Sequence, residues 1–322
     1  SPFQGATSGI RVIMKILQIN TVCDVGSTGR TTRELAEFLE ANGHECYVAY
    51  GHGTTTWHRS TKIGGKWENH FHNAFFTRLL GLHGYGTHYG TRKLIKWIME
   101  IKPDVVHLRN LHGNYLNYPI LFNFLVERQI PVVFTLHDCF NYTGKCSHYT
   151  AQGCYRWKDE CHDCPLIHTT APSMFFDFSN KIFIEKETYY KEMKNLTVVA
   201  VSRWLANEAM QSRLFRSARK VTHIYNWIDY DKFHRATQEE IDAFCVKYHL
   251  SRDCKYLISV SQGWHNNAPR YKDALALAKK LPSDYRLLLV GGVPRGSVIE
   301  SPLLHIPYIA GTKELSAAYS LA

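Results

Sequence analysis

The sequence predicts an α/β protein made of two doubly wound, parallel-sheet domains of the Rossmann-like kind, the second cut short. Three observations predict it. Strand-length apolar runs alternate with amphipathic helical stretches along the chain, the pattern of a parallel sheet with helices on both faces. A run such as 131–136 (Pro-Val-Val-Phe-Thr-Leu) is almost wholly apolar, as a buried parallel strand is. That run ends on His137-Asp138, and strand ends of this kind open onto ligand crevices.

The elements follow in order. Residues 1–13 read as a leader or an appended remnant, and Met14 as a natural start. Residues 15–20 form a short strand, followed by a glycine-containing turn, Gly26-Ser27-Thr28-Gly29-Arg30. Residues 31–41 form a helix with Leu35, Phe38 and Leu39 at core-facing spacing, and Asn42-Gly43 stops it. A strand at 45–50 completes a βαβ unit. Glycines let a backbone approach a ligand, and a helix start offers free N–H groups to an anion. The spacing differs from the G-x-G-x-x-G dinucleotide pattern.

Residues 57–90 are rich in His, Gly and aromatics, with Phe71, Phe75, Phe76, Leu79 and Leu80 clustered. They read as a loop and a partly amphipathic helix that packs on the first domain or faces a membrane. A helix at 91–101 precedes a strand at 104–108, which ends in Arg109-Asn110-Leu111-His112-Gly113-Asn114. A helix at 119–127 leads to the 131–136 strand. Beyond the cysteine loop come a helix at 181–194, a strand at 196–201, a helix at 205–212 and a strand at 220–225. Residues 229–254 carry one helix and no clear strand, and read as a linker. A second βα series follows: strand 255–261, helix 271–281, strand 285–290, Gly291-Gly292, strand 303–306 and a helix from 312. The expected domains are thus 14–228, with a Cys-rich loop at 139–165, and 255–322.

Cys146, Cys154, Cys161 and Cys164 stand with seven, six and two residues between them. Four thiolates so close can make a tetrahedral S₄ site, and zinc is the default metal, with His148 or His162 able to replace a thiolate. Reduced thiols without metal, or disulfides, are the other readings. Four protein ligands would leave no open position, so no catalytic metal is expected. The other cysteines (Cys23, Cys46, Cys139, Cys245, Cys254) read as small buried hydrophobes in a reducing compartment.

The chain has 322 residues, 45% of them hydrophobic, and a formal charge of +10. That is enough for two cores, and the charge favours anionic partners: nucleic acid, phosphorylated ligands or an anionic membrane face. The basic residues are dispersed and no recognition motif appears, so no nucleic-acid partner is expected. No apolar run approaches the roughly 18–20 residues of a membrane span.

The chain resembles the retaining glycosyltransferases of family 4, of GT-B architecture, above all the bacterial enzymes of capsule and exopolysaccharide synthesis. The stretches that carry the resemblance are Gly26–Arg30, Leu111-His112-Gly113-Asn114-Tyr115-Leu116-Asn117 and Thr135-Leu136-His137-Asp138. Tyr142-Thr143-Gly144-Lys145-Cys146 with the later cysteines, Val201-Ser202-Arg203-Trp204-Leu205 and Ile224-Tyr225-Asn226-Trp227-Ile228-Asp229 add to it. The resemblance implies transfer of a sugar from a nucleotide-sugar co-substrate to a saccharide or lipid-linked saccharide acceptor, with retention of configuration. It implies work in the cytoplasm, at the inner membrane face for a lipid-linked acceptor, with peripheral membrane association. The acceptor would bind the first domain and the donor mainly the second.

By the same resemblance His137 would meet the donor sugar, and Arg270 and Lys272 the departing diphosphate. Gly26, Ser27, Thr28, Gly29 and Arg30 would lie beside diphosphate and acceptor, with His112, Gly113, Asn114, Asp138, Gly291 and Gly292 completing the ligand-binding set. The sequence departs from the family pattern in the stretch between Trp264 and Arg270, in Asp273 and Trp227 where glycine is common, and in a missing pair of glutamates expected beyond Ala322. A zinc-stabilised nucleic-acid-binding module and an inactive carbohydrate-binding homologue are the alternatives.

Overall fold

The structure, a computed structural model, describes residues 12–322 apart from Lys232 and Asn267. Residues 1–11, most of the expected leader, lie outside the described residues. The chain divides into two compact units, one ending at Asn226 and one beginning at Trp227.

The first unit is built on β1 (Lys15–Val22), β2 (Glu45–His52), β3 (Ser60–Lys62), β4 (Val105–Leu108), β5 (Val132–Leu136), β6 (Leu196–Ala200) and β7 (Lys220–His223). They form one parallel sheet in the order β3-β2-β1-β4-β5-β6-β7. The connections are α1 (Gly26–Ala41), α2 (Lys66–Phe71) with a π-helical continuation His72–Leu79, α3 (His88–Ile101), α4 (Tyr118–Arg128), α5 (Ser179–Glu192) and α6 (Arg203–Gln211). The strand order reverses direction at β1, between β2 and β4, and doubly wound sheets leave a crevice at such a point.

β1 shows how the sheet divides its residues. Leu17 and Ile19 enter the large core with Val106, Leu108, Phe134 and Leu136. The intervening Gln18 and Asn20 are buried on the other face and bond to α1: Gln18 Nε2 donates to Thr32 O at 3.0 Å, and Asn20 Nδ2 to Thr32 Oγ1 at 3.0 Å. Each buried amide is therefore matched, as burial of a polar group requires.

The expected turn at 26–30 is the first part of a helix instead. β1 runs on to Val22, and Asp24 at φ 71° turns the chain, so α1 opens at Gly26. Gly29 allows the close packing, since a Cβ there would lie 3.1 Å from Val22 Cγ2 and 3.4 Å from the Asp24 nitrogen.

The region read as loop and helix, 57–90, supplies β3, α2 and the π-helix. Its inner side is fixed by His72, whose Nε2 accepts the Gly84 N–H at 3.1 Å and whose Nδ1 faces Thr87 Oγ1 at 2.8 Å. An accepting Nε2 puts the proton on Nδ1, so this imidazole is neutral. Burial lowers its pKa to about 3. His107, in β4 and 2.7 Å from Thr135 Oγ1, is likewise lowered to about 3 by burial.

The second unit holds β8 (Lys255–Gly263), β9 (Tyr285–Gly292) and β10 (Leu304–Ile306), parallel in the order β10-β9-β8, with α7 (Gln238–Lys247), α8 (Pro269–Ala278) and α9 (Thr312–Leu321). β9 is central and buried on both faces. Leu288 and Val290 pack with Ile241, Phe244 and Ala318, while Leu287 and Leu289 pack with Trp264, Tyr271 and Ala274. The stretch 229–254, read as a linker, thus contributes α7 to this core. A Thr237–Glu240 capping box starts that helix, and its Ile241 and Phe244 pack with Leu288 and Val290 of β9 and with Ala317 and Ala318 of α9.

The Cys-rich loop is packed around aromatic rings. Trp157 lies 4.9 Å from Tyr142 and 5.0 Å from Tyr149, centroid to centroid. Beneath them Lys186 of α5 is buried. Its Nζ donates to the carbonyls of Phe140 at 2.7 Å and of Thr143 and Gly144 at 3.1 Å, and sits 3.9 Å over the Phe140 ring. Three acceptors for three N–H groups suit an ammonium, while burial pulls its pKa down to about 7.

Two predictions follow from this packing. Lys186→Met takes the ammonium donor from three carbonyls, of which Phe140 O keeps only a long bond from Thr143 Oγ1 at 3.5 Å, and should cost about 3 kcal/mol, read by urea unfolding. A cost near zero would show that the loop does not depend on that ammonium. The second concerns acid. Between pH 6.5 and about 3 the unfolded chain protonates His72 and His107 and the folded chain does not. The unfolded state then binds more protons, so stability rises with pH across that window and is lost as pH falls through it. His107→Gln should reduce the stability difference between pH 7 and an acid point inside the window; an unchanged difference would remove His107 from the account.

Candidate active site

At the reversal point three loops meet at the carboxyl ends of β1, β4 and β5. The residue that joins them is Arg109, directly after β4, only 2% exposed. Its Nη1 donates to Gln18 Oε1 at 3.0 Å and to Thr31 O at 3.3 Å. Its Nη2 donates to Thr31 Oγ1 at 2.6 Å and points at His137 Nε2 at 3.3 Å. Among the described residues it makes no ion pair with a carboxylate, and its Nε has no partner. Burial lowers its pKa to about 10, which still leaves it a cation at neutral pH.

A guanidinium can only donate, so His137 Nε2 must accept. The His137 proton then sits on Nδ1, and the ring is neutral. Burial, and then the Arg109 charge, push its pKa down to about 4. His137 is therefore a fixed N–H donor across the neutral range, with its basic nitrogen already engaged.

The neighbouring loop is held as firmly. His112 Nε2 lies 2.7 Å from Asp138 Oδ2, and Asp138 Oδ1 accepts the Phe140 N–H at 2.9 Å. Burial alone would raise the Asp138 carboxyl, but the His112 bond and charge and the Phe140 N–H outweigh it and hold the pKa below the usual range. The single Thr21 hydroxyl proton is shared between the carbonyls of Asn110 at 2.9 Å and His112 at 2.7 Å, tying the loop to β1. Gly113 at φ 126° and Asn114 at φ 60° turn it back, and His52 Nε2 meets Gly113 O at 2.6 Å. A cavity of about 210 Å³ lies against His112, Gly113, Asn114, Phe140 and the buried Lys145.

The structure thus brings His112, Gly113, Asn114, His137 and Asp138 together, with Thr28 and Gly29 of α1 packed on β1 behind them. Gly26, Ser27 and Arg30 lie on the exposed side of that first helical turn. Arg109 and Thr31 were missed by sequence reasoning. The one signal for Arg109 was a charged residue closing an apolar strand.

In the second unit Arg270 opens α8. Its Nη2 donates to Gly263 O at 2.8 Å and its guanidinium stacks 5.5 Å from the Trp264 ring. Trp264 is fixed in turn by bonds to Gly292 O at 2.7 Å and Val290 O at 3.1 Å. Gly291 is required at φ 147°, since a Cβ would lie 2.1 Å from Ser261 O. Arg270, Gly291 and Gly292 therefore share one sheet end. Lys272 is exposed two residues on, and a two-residue step on a helix turns it to a different side from Arg270.

The zinc expectation is corrected. Cys146, Cys154, Cys161 and Cys164 line one cavity of about 20 Å³, yet among the described residues no group of three or more His, Cys, Asp or Glu side chains is placed to hold a metal ion. All four are free cysteines, and burial pushes the Cys146 and Cys161 thiols up to about 12. Cys161 Sγ instead accepts the Gly144 N–H at 3.2 Å.

Residues 28–232 match the family model described as Glycosyltransferase Family 4. No curated protein sequence matches the chain. Solved structures do: a glycosyltransferase from Rickettsia africae (15% identity, TM-score 0.60, covering 96% of this chain and 71% of that one), and Anabaena HepE, solved with UDP and glucose (14%, TM-score 0.55, 95% and 72%). WaaG, a glycosyltransferase involved in lipopolysaccharide biosynthesis, is similar at 11% identity and TM-score 0.57, over 93% of this chain and 72% of that one. These likenesses are of fold: a parallel-sheet α/β unit followed by a second.

The Arg109–His137 contact can be tested directly. Burial is the larger cause of the lowered His137 pKa and the Arg109 charge the second, so Arg109→Met should raise it only part of the way from about 4, followed by NMR titration of the imidazole. A pKa that stays near 4 would show that Arg109 does not set it.

Proposed function

The chain belongs to glycosyltransferase family 4, and we propose that it moves a sugar from a nucleotide-sugar donor to a saccharide or lipid-linked saccharide acceptor with retention of configuration. We assign it to cell-surface polysaccharide synthesis of the capsule or exopolysaccharide type, in the cytoplasm at the inner membrane face. The observation that carries the transfer reading is the neutral, oriented His137 held by Arg109 at the β1–β4 crevice of a family 4 chain.

In the proposed reaction the bond from the anomeric carbon to the diphosphate oxygen breaks, and a bond to an acceptor oxygen forms on the same face. His137 Nδ1–H donates to a hydroxyl of the donor sugar and orients it. Neither His137 nor Asp138 is free to act as base, because Nε2 and the carboxylate are already engaged. The acceptor proton then passes to the departing diphosphate. Arg270 and Lys272 neutralise charge that builds on that diphosphate, the kind of positioned cation that lowers such barriers. Gly291 and Gly292 border the donor at the sheet end beside Arg270, and the α1 start with Gly26–Arg30 and His112–Asn114 borders the acceptor. Arg109 acts as a positioning residue through His137. HepE was solved with UDP and glucose, which makes UDP-sugars the first donors to try.

The test is a thermal-shift panel of UDP-, GDP-, CDP- and TDP-sugars followed by a transfer assay with the responding donor. One nucleotide class should shift the melting point, and Lys272→Ala should weaken the shift and lower transfer about tenfold or more. His137→Ala should keep the shift and lose transfer. No shift with any donor, together with no transfer, would overturn the reading.

A further inference from the structure

The helical stretch 66–79 has two unlike faces. Asn69, His72 and Thr77 are buried in the first unit. Trp67, Phe71, Phe75 and Leu79, each four residues on, point outward; Trp67 is 85% exposed and Phe71 58%. Phe71 and Phe75 stack at 5.2 Å. A second segment widens this face. The Met174 N–H donates to Arg78 O at 2.7 Å, and a Cβ on Gly81 would lie 2.4 Å from Phe176 O. Met174 (62%), Phe175 (65%) and Phe176 therefore emerge beside the helix end. Seven large apolar side chains on two tethered segments exceed the scattered exposure normal for a soluble surface.

Apart from Glu68, from Glu100 just beyond the stretch and from Asp177 beside Phe176, the charges along these segments are basic. From residue 60 to residue 99 the chain carries Lys62, Lys66, Arg78, Arg92, Lys93 and Lys96 against a single carboxylate, Glu68. That carboxylate is turned inward, accepting the N–H groups of Tyr89 and Gly90. An aromatic stripe flanked by cations is complementary to an anionic bilayer, with rings at the acyl boundary and cations among headgroups. The same stretch also builds a groove. Lys66, His70 and Asn73 join His52, Lys62 and Asn114 around a cavity of about 360 Å³ with no carboxylate among its lining residues.

We propose that the 66–79 stretch lays its aromatic face into an anionic membrane surface and sets this basic groove at headgroup depth, where it receives the phosphate of a lipid-linked acceptor. The acceptor clause rests on the transferase reading; the membrane clause does not. Lys62 is loosely held, with its Nζ 2.8 Å from Gly53 O and 5.9 Å from the Tyr50 ring, so it can turn toward a phosphate without breaking the core.

The test is co-sedimentation of the full chain with vesicles of phosphatidylcholine alone and of equal parts phosphatidylcholine and phosphatidylglycerol. The anionic vesicles should bind on the order of tenfold tighter or more, and salt should reduce the difference. Trp67→Ser with Phe71→Ser, and separately Phe175→Ser, should lose vesicle binding with melting point and donor shift unchanged. Lys62→Gln with Lys66→Gln should keep binding to neutral vesicles and lose most of the anionic preference. Equal binding of both vesicles, or full binding by the serine variants, overturns the proposal. So does a change of oligomeric state in those variants without vesicle binding, which would place a second copy on this face. Vesicle binding with neither donor shift nor transfer would leave the membrane clause standing and sink the transferase reading. Transfer to a soluble saccharide without vesicle binding would do the reverse.

Discussion

A buried guanidinium with no carboxylate partner among the described residues is the constraint around which the first unit is arranged. Arg109 cannot shed its proton at neutral pH, so its N–H groups must find neutral acceptors. They come from three places: Gln18 in the middle of β1, Thr31 in α1 and His137 after β5. That need explains a glutamine inside a strand whose neighbours are core leucine and isoleucine. It also sets the tautomer of His137, because a nitrogen facing a pure donor must accept. One side chain thereby fixes the spacing of three elements and the protonation state of the residue nearest the proposed chemistry.

The loops beside it are stiffened in a second way. Lys186 gathers the carbonyls at both ends of a tight turn and presses on Phe140, whose ring lies 5.5 Å from His112. The Cys-rich loop is thus coupled to the His112–Asp138 pair through an ammonium and an aromatic ring, where a metal knot was expected. In the second unit the small sheet is rigid for a simpler reason: β9 is covered on both faces, and Gly291 lets β8 and β9 close on each other.

Much of this was legible beforehand. Strand and helix types followed from apolar runs and their spacing, and His137-Asp138 and the His112-Gly113-Asn114 loop stood out as polar groups at strand ends. The misreadings share a cause. Glycines at 26 and 29 look like a turn, but Gly29 is there so that a helix can pack on Val22. The 229–254 stretch looked like a linker because it carries one helix and no clear strand, and only the tertiary structure shows that its Ile241 and Phe244 pack on β9 and α9. Four close cysteines look like a zinc site, since spacing says nothing of whether the side chains converge as ligands.

The sequence by itself determined the α/β class, the order of the elements and the strand ends that carry polar groups, because periodicity and turn chemistry are local properties. Only the tertiary structure decided which of those groups act together. Arg109, Gln18, Thr31 and His137 are brought into contact by the β1–β4–β5 pairing, over separations that no spacing rule encodes. The same holds for the face made by 66–79 and 174–176, two stretches joined through one backbone bond, Met174 N–H to Arg78 O, between residues nearly a hundred positions apart. Contacts of this range depend on strand order and on what each helix must cover, and those are settled only when the whole core closes.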